Sequence, residues 1–401
     1  MTAHENLPLD DLRVVELGQL LAGPFCGQLL GDFGAEVIKV EDPAHGDPMR
    51  EWGREKPHGR SLWWPVVARN KRSVTADLRR PEGQDLVRRI IDRADVLVEN
   101  FRPGTLERWG LAPEELWKTN PRLVVTRVTG FGQSGPYSSR AGYGSIGEAM
   151  GGIRYVTGDP DRPPARAGIS LGDSLAATFA CLGTLVALHQ RERTGRGQVV
   201  DSAIYEAVLA MMESLIPEYQ VAGYQRERTG TVLPNVAPSN VYPTADGEMV
   251  LVAANQDTVF RRLCTAMERP DLATDERYAT HSARGRSMEE LDGLIARWTS
   301  TLPAEELLER LHENGVPAGR IFKAKDMLTD PHFAAREAIV RLSHPELGEL
   351  AMHNVVPKLS QSPGRVRHVG PELGEHNDDI YRGLLGLDDD AMSSLRSAGV
   401  I

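Results

Sequence analysis

Cysteine is scarce in this 401-residue chain: Cys26, Cys181 and Cys264 are the only three, and no two are close in sequence. That spacing excludes a CxxC zinc or redox motif, and an odd, sparse set offers no disulfide framework, so a reducing compartment is expected. The thiols read as small buried hydrophobes. The eleven histidines are scattered, with no HxxxH or HExxH pair, so no metal site is read. A cationic excess is also missing. Lys plus Arg is 46 against 56 for Asp plus Glu, a net charge of −10, which argues against nucleic acid and anionic membrane as partners. A small anion in a local basic pocket stays possible. The N-terminus shows no basic stretch followed by an apolar run, so no signal peptide is read. The longest apolar stretch, Leu175–Leu188, is too short and interrupted for a membrane span and reads as a buried helix. A cytoplasmic protein is expected.

What is present is a 41% hydrophobic composition, enough for a large core in two or three domains. The first 135 residues alternate strand and helix signals. Strands are read at Arg13–Leu17, Glu36–Val40, Ser73–Leu78, Asp95–Val98 and Leu123–Val128, with helices over Phe25–Phe33 and Pro81–Ala94. This alternation implies an α/β fold with a parallel, doubly wound, Rossmann-like sheet. Gly-, Pro- and Arg-rich loops follow around a helical piece at Ser145–Met150. A long helix then runs to Arg193, and another over Ala203–Tyr224. A hairpin turning at Asp246-Gly247 opens a new unit, and short strands are read at Ile339–Leu342 and Leu350–His353.

Ligands of such sheets bind at the carboxyl ends of strands, here Gly18–Gly23 and Glu99–Arg102. Gly18 and Gly23 have P-loop spacing, but Pro24 stands where lysine is needed, and GxGxxG is absent. Glu41 occupies the place of a ribose-binding acid without other support. The basic residues Lys39, Lys71, Arg72, Arg102 and Arg108 cluster near this edge, as solvated surface or as phosphate contacts. Asp173, between Gly172 and the long apolar helix, has two readings. It caps the helix, or it is a carboxylate nucleophile kept ionised by nearby amides, with glycine allowing close approach of substrate.

Together, LAGPFCGQLLGDFGAEVIKVE (21–41), NKRSVTADL (70–78), DVLVENFRPGTLERWGL (95–111), GISLGDS (168–174), RTGRGQVVDSAIYEA (193–207), YPTADG (242–247) and LHENGVPAGRI (311–321) resemble the class III (CaiB/BaiF-type) coenzyme A transferases over nearly the whole chain. The resemblance implies an interlocked homodimer. Each subunit would hold a Rossmann-like large domain made of N- and C-terminal parts and a smaller inserted α+β domain. The implied boundaries are 1–205 for the first part of the large domain, 206–239 for a linker helix and loop, 240–325 for the small domain, and 326–401 for the return segment. It also implies that Asp173 is the nucleophile and that the aromatic Tyr143 faces the thioester. Leu21, Ala22, Lys39, Asn100, Arg102 and Arg108 would contact CoA, with Lys71 and Arg72 beside them. No cofactor beyond coenzyme A, itself a substrate, is implied.

Racemases of that family pair the aspartate with a histidine in a Gly-His-Asp sequence. The matching triplet here is Gly142-Tyr143-Gly144, which favours transfer, because proton exchange at carbon needs two positioned carriers. A polyglycine lid accompanies formyl-CoA:oxalate transfer in some members, and Leu233–Ser239 has no glycine run. The passage from Gly147 to Asp173 is most similar to members that use succinyl-CoA and a dicarboxylic acid such as malate, citramalate, itaconate or mesaconate. Arg50, Arg154 and Arg166 are candidates for the second carboxylate, and backbone amides near Gly144 or in Leu233–Ser239 for the oxyanion. Three alternatives stay open: a 2-methylacyl-CoA racemase or epimerase, a CoA-binding protein without catalysis, and transfer to another acid (formyl/oxalate, carnitine-like, bile or aryl).

Overall fold

The computed structural model describes residues 7–401. Strands β1 (Arg13–Glu16), β2 (Glu36–Glu41), β3 (Lys71–Thr75), β4 (Val96–Glu99), β5 (Val124–Thr129) and β6 (Val199–Ala203) form one parallel sheet in the order β3-β2-β1-β4-β5-β6. The strand order reverses between β1 and β4, which makes the crevice beyond their carboxyl ends the switch point.

Adjacent strand residues face opposite sides, so each strand feeds two cores. Val15, Ile38, Val74, Leu97 and Val125 pack with Leu86, Val87 and Ile90 of α2 (Pro81–Ile91), and with Ile380, Tyr381 and Val400 from the far end of the chain. Val14, Val37, Val96 and Val124 pack instead with Cys26 and Leu30 of α1 (Ala22–Asp32) and with Ala176, Ala180 and Ala187 of a later helix. That helix, α4 (Leu171–Thr194), is preceded by the short α3 (Gly144–Met150) and ends at Gly195, whose left-handed φ of 71° suits a residue without Cβ.

Several elements differ from the sequence expectation. β3 starts at Lys71, so Lys71 and Arg72 lie at its amino end rather than at the ligand edge. The single helix expected over Ala203–Tyr224 is two, α5 (Ile204–Leu209) and α6 (Leu215–Ala222), interrupted where Glu213 takes a φ of 52°. α4 has 24 residues, and among the described residues it is long and apolar enough to cross a membrane by length and composition. The stretch read as a buried helix, Leu175–Leu188, is buried on one face, at Ala176, Ala177, Ala180, Ala187 and Leu188, while Leu182, Leu185 and Val186 are exposed.

The chain divides into two compact units. One comprises the residues up to Ile153, Ala167–Gly223 and Ala334–Ile401; the other comprises Arg154–Arg166 and Tyr224–Phe333. Residues 206–223, expected in a linker, go with the first unit, because Ile204 and Ala207 join the core on the sheet face. Residues 154–166 go with the second, where the Tyr155 hydroxyl donates to Glu227 at 2.6 Å and Arg228 donates to the Tyr155 carbonyl at 3.0 Å. The second unit has an antiparallel sheet β7 (Ser239–Pro243), β8 (Met249–Ala253) and β9 (Ala318–Arg320). Its core, with Tyr242, Val252, Phe260, Ile295 and Leu311, is completed by helices α7 (Asp257–Ala266), α8 (Met288–Thr299) and α9 (Ala304–Glu313). The return segment carries the hairpin β10 (Ile339–His344) and β11 (Gly348–His353).

Candidate active site

At the switch point, the turn after β1 is pinned residue by residue. The Gly18 carbonyl accepts from Lys39 Nζ. The Gln19 amide donates to Asn100 Oδ1 and its carbonyl accepts from Asn100 Nδ2, both at 2.8 Å. The Leu20 amide donates to Asp47 Oδ1 at 3.0 Å, with Leu20 in the left-handed region at φ 64°. A left-handed conformation costs a bulky residue about 1–3 kcal/mol and persists only where its surroundings determine it. Gly18 and Gly23 flank the Asn100 side chain, 3.0 and 3.3 Å from where their Cβ atoms would stand. Their P-loop-like spacing therefore serves the packing of Asn100.

Two lysines expected at the CoA edge are instead built into the interior. Lys39 and Lys71 are each 1% exposed. Lys39 Nζ lies 2.7 Å from Asp47 Oδ2 and 3.3 Å from Glu16 Oε1. Lys71 Nζ lies 2.9 Å from Glu16 Oε2 and donates to the Pro24 carbonyl at 2.6 Å. Burial penalises the Lys39 ammonium, yet Asp47, Glu16 and Glu41 outweigh it and hold its pKa above the ordinary lysine value. Lys71 goes the other way: burial dominates, and its pKa falls. Neither presents a free cation, because each balances a buried carboxylate that would otherwise be unpaired. Arg72 is paired with Glu36 and Asp379, at 2.7 Å each. Arg50 is engaged as well. It grips Glu41 through Nε and Nη2 at 2.8 Å each and stacks over Trp64 at 3.7 Å. This removes Arg50 as a partner for a substrate carboxylate and explains Glu41 without any ribose.

Across the crevice, buried Glu99 accepts from the Phe101 amide and from Arg127 Nε, both at 2.7 Å. Its burial raises its pKa despite Arg127. Past this anchor, Arg102 and Arg108 are exposed. Arg108 donates to Thr105 Oγ1 at 2.8 Å. They are the expected basic residues of this edge that face solvent. Leu21 is half-buried at the N-cap of α1, and Ala22, its first residue, is buried.

A second cluster stands beyond β5 on the same sheet edge. Gly130, one residue past β5, meets Gly142: a Cβ on Gly130 would lie 2.9 Å from Gly142 Cα. Tyr143 follows as the N-cap of α3 and is 70% exposed. Asp173 is half-buried and is the third residue of α4, not its cap; Ser170 holds the cap position. The Asp173 carboxylate lies on the backbone of Gly144, where a Cβ would stand 2.2 Å from Oδ2. A first-turn carboxylate is favoured by the helix dipole in its ionised, nucleophilic form.

The sequence reading missed Asp47, Glu16 and Glu148. Glu148, on α3, is 1% exposed and accepts from the Gly172 amide at 3.1 Å. A signal was available: Gly144, Gly147 and Gly151 share a face at helical spacing. Cβ atoms on Gly147 and Gly151 would stand 2.4 Å from Ile204 and 2.6 Å from Val208, so this helix packs at backbone distance. In the second unit, the glycine-poor Leu233–Ser239 passage is tied down. Buried Arg284 donates to the Ala237 carbonyl at 3.1 Å, and a Cβ on Gly285 would lie 2.7 Å from the Asn235 carbonyl oxygen.

Known proteins resemble this chain in sequence and in fold. The model of CoA-transferase family III covers residues 9–377. A succinyl-CoA–D-citramalate CoA-transferase of Chloroflexus aurantiacus is 64% identical over 394 residues, 98% of each chain. The beta subunit of succinyl-CoA–L-malate CoA-transferase from the same organism is 42% identical over 99% of this chain and 98% of its own. The crystal structure of a CaiB/BaiF family protein from Brucella suis superposes with a TM-score of 0.83 at 37% identity, covering 95% of this chain and 100% of its own. With a parallel sheet open at its switch point and an aspartate resting on a glycine backbone at the same edge, the chain belongs to CoA-transferase family III.

Proposed function

We propose that this protein moves CoA from succinyl-CoA to a dicarboxylic acid such as citramalate, malate, itaconate or mesaconate, with Asp173 as the nucleophile. The observation that carries the reading is the contact of the Asp173 carboxylate with the Gly144 backbone at the open sheet edge. The two Chloroflexus relatives, named for succinyl-CoA and for citramalate or malate, support the substrate class.

Asp173 attacks the thioester carbonyl, the C–S bond breaks, and a mixed aspartyl–succinyl anhydride and CoA thiolate form. The thiolate attacks the Asp173 carbonyl, releasing succinate and leaving an aspartyl-CoA thioester. The acceptor carboxylate displaces the thiolate, giving a second anhydride. The thiolate then takes the acceptor's acyl group and restores Asp173. Every step conserves one activated acyl group, so no electron acceptor is needed. Tyr143 walls the thioester, and backbone amides at the start of α3 hold the oxyanion. Arg102 and Arg108 bind the phosphates of CoA beside the wall formed by Leu21, Ala22 and Asn100. Lys39 and Lys71 act from beneath, holding the turn.

The working form is a homodimer with interlocked subunits, in the cytoplasm. Exposed Leu182 and Val186 on α4, Leu209 on α5, and Ile216, Tyr219 and Val221 on α6 support it, since apolar surface of that extent marks an interface. The test incubates succinyl-CoA with a panel of mono- and dicarboxylic acids and reads new thioesters by mass spectrometry. Dicarboxylates should be converted fastest, and Asp173→Ala should abolish transfer and leave no hydroxylamine-sensitive adduct. Transfer retained in Asp173→Ala rejects the reading. α-Proton exchange with D2O in the absence of acceptor would make the protein a racemase instead.

A further inference from the structure

Helix α4 begins without a cap of its own. Ser170 holds the N-cap position, but its hydroxyl accepts nothing from the first turn, whereas a capping serine ordinarily accepts the amide of the second or third helical residue. The second residue here is Gly172, and its amide donates instead to Glu148 Oε1 on α3, 24 positions earlier in the chain. Glu148 is buried. The approach is close enough that a Cβ on Gly172 would stand 2.9 Å from the Gly144 carbonyl oxygen and 3.0 Å from Glu148 Cγ. Asp173 is the next residue, and its carboxylate rests on Gly144. Gly144 and Glu148 are one helical turn apart, on one face of α3. A single short helix therefore supplies both the backbone under the nucleophile and the acceptor that fixes the preceding amide.

We infer that Glu148 is a positioning residue of CoA transfer, holding Asp173 at its attack geometry through the Gly172 amide. The inference rests on Asp173 being the nucleophile. The proposed cycle makes this fixation necessary. Asp173 passes from carboxylate to anhydride to thioester and back, and loses its charge on the way. Contacts that depend on the charge therefore lapse mid-cycle. The Gly172–Glu148 bond does not involve the reacting group and keeps the backbone in place for each return attack.

The roles of reach and charge separate in two variants. Glu148→Gln keeps an acceptor oxygen at the same reach; Glu148→Asp keeps the charge but is one methylene too short. Displacement of a reacting group by about 1 Å costs about 100-fold. Glu148→Asp should accordingly lower kcat about 10- to 100-fold, with the KM for succinyl-CoA within about twofold. Glu148→Gln should stay within about threefold of the wild type in both. Gly172→Ala applies the same displacement from the other side and should reproduce the kcat loss, which covers the case that Glu148→Asp does not fold. Wild-type kcat in Glu148→Asp or Gly172→Ala overturns the inference, as does a Glu148→Gln enzyme that is folded and impaired. Asp173→Ala is assayed in parallel. If it keeps transfer, the nucleophile reading itself fails; if it is dead while Glu148→Asp is as fast as wild type, only the positioning role fails.

Discussion

Gly144 and Asp173 meet so closely that a Cβ on the glycine would stand 2.2 Å from Asp173 Oδ2. Real contacts do not reach that distance, so any side chain at 144 displaces the carboxylate. Gly144 is outside the left-handed region, so alanine suits its backbone. Gly144→Ala should therefore fold normally and lose about 100-fold in kcat, with the KM for succinyl-CoA little changed. Steady-state kinetics with a thermal melt as control checks this, and wild-type kcat would contradict it.

Asp47 should behave as a structural acid. Its pKa is pulled between burial, which raises it, and Lys39 with the Met49 and Leu20 amides, which lower it further. Such a depressed carboxylate contributes stability above its unfolded pKa of about 3.9, and that contribution is lost as pH falls through the lower folded value. Asp47→Asn leaves the Lys39 ammonium buried without its nearest partner, at a cost of about 3–5 kcal/mol. The deficit should be full at neutral pH and shrink below about pH 4. Urea unfolding of both proteins across that range measures it; a deficit independent of pH would show that the charge is not involved.

Lys39 and Lys71 should titrate with opposite sign. The raised pKa of Lys39 contributes stability that is present below its unfolded value and lost only as pH rises through the higher folded one. The lowered pKa of Lys71 means that folding disfavours its proton, so this group opposes folding at neutral pH and does so less as pH rises through the folded value. Lys39→Met should thus flatten the alkaline loss of stability and Lys71→Met should steepen it, read by melting temperature between pH 8 and about 11.

Arg102 and Arg108 should affect substrate and leave stability alone. Both are exposed. The double alanine variant should raise the KM for succinyl-CoA about tenfold and weaken its dependence on salt, since exposed charge attraction is screened. Unchanged KM would remove them from the CoA site.

The exposed apolar face of α4 and α6 makes an oligomeric prediction. The wild type should sediment at twice the mass of one chain, and Val186→Glu with Val221→Glu should lower the yield of that species. A monomer that transfers CoA at full rate would refute the dimer.

Local pattern was enough for the alternation of strand and helix, the parallel sheet and the open edge at Gly18 and Glu99, because apolar spacing and breakers act within a few residues. Asp173 was legible as a residue of interest from its glycine neighbour and the apolar run after it. Sequence could not say which charges were free. Lys39, Lys71, Arg50 and Arg72 look no different in the chain from Arg102 and Arg108, yet the first four are held by Glu16, Asp47, Glu41 and Glu36, while the last two are exposed. The difference is made by partners brought together by strand pairing: Glu16 stands opposite Lys39 in the β1–β2 register, 23 residues away. The capping of α4 by Glu148 is likewise a contact between helices, invisible to any rule about neighbouring positions. Periodicity determines which elements form. Burial, which sets the cost of an unpaired charge, exists only once those elements are assembled, and it decided which residues support the site and which remain free to meet the substrate.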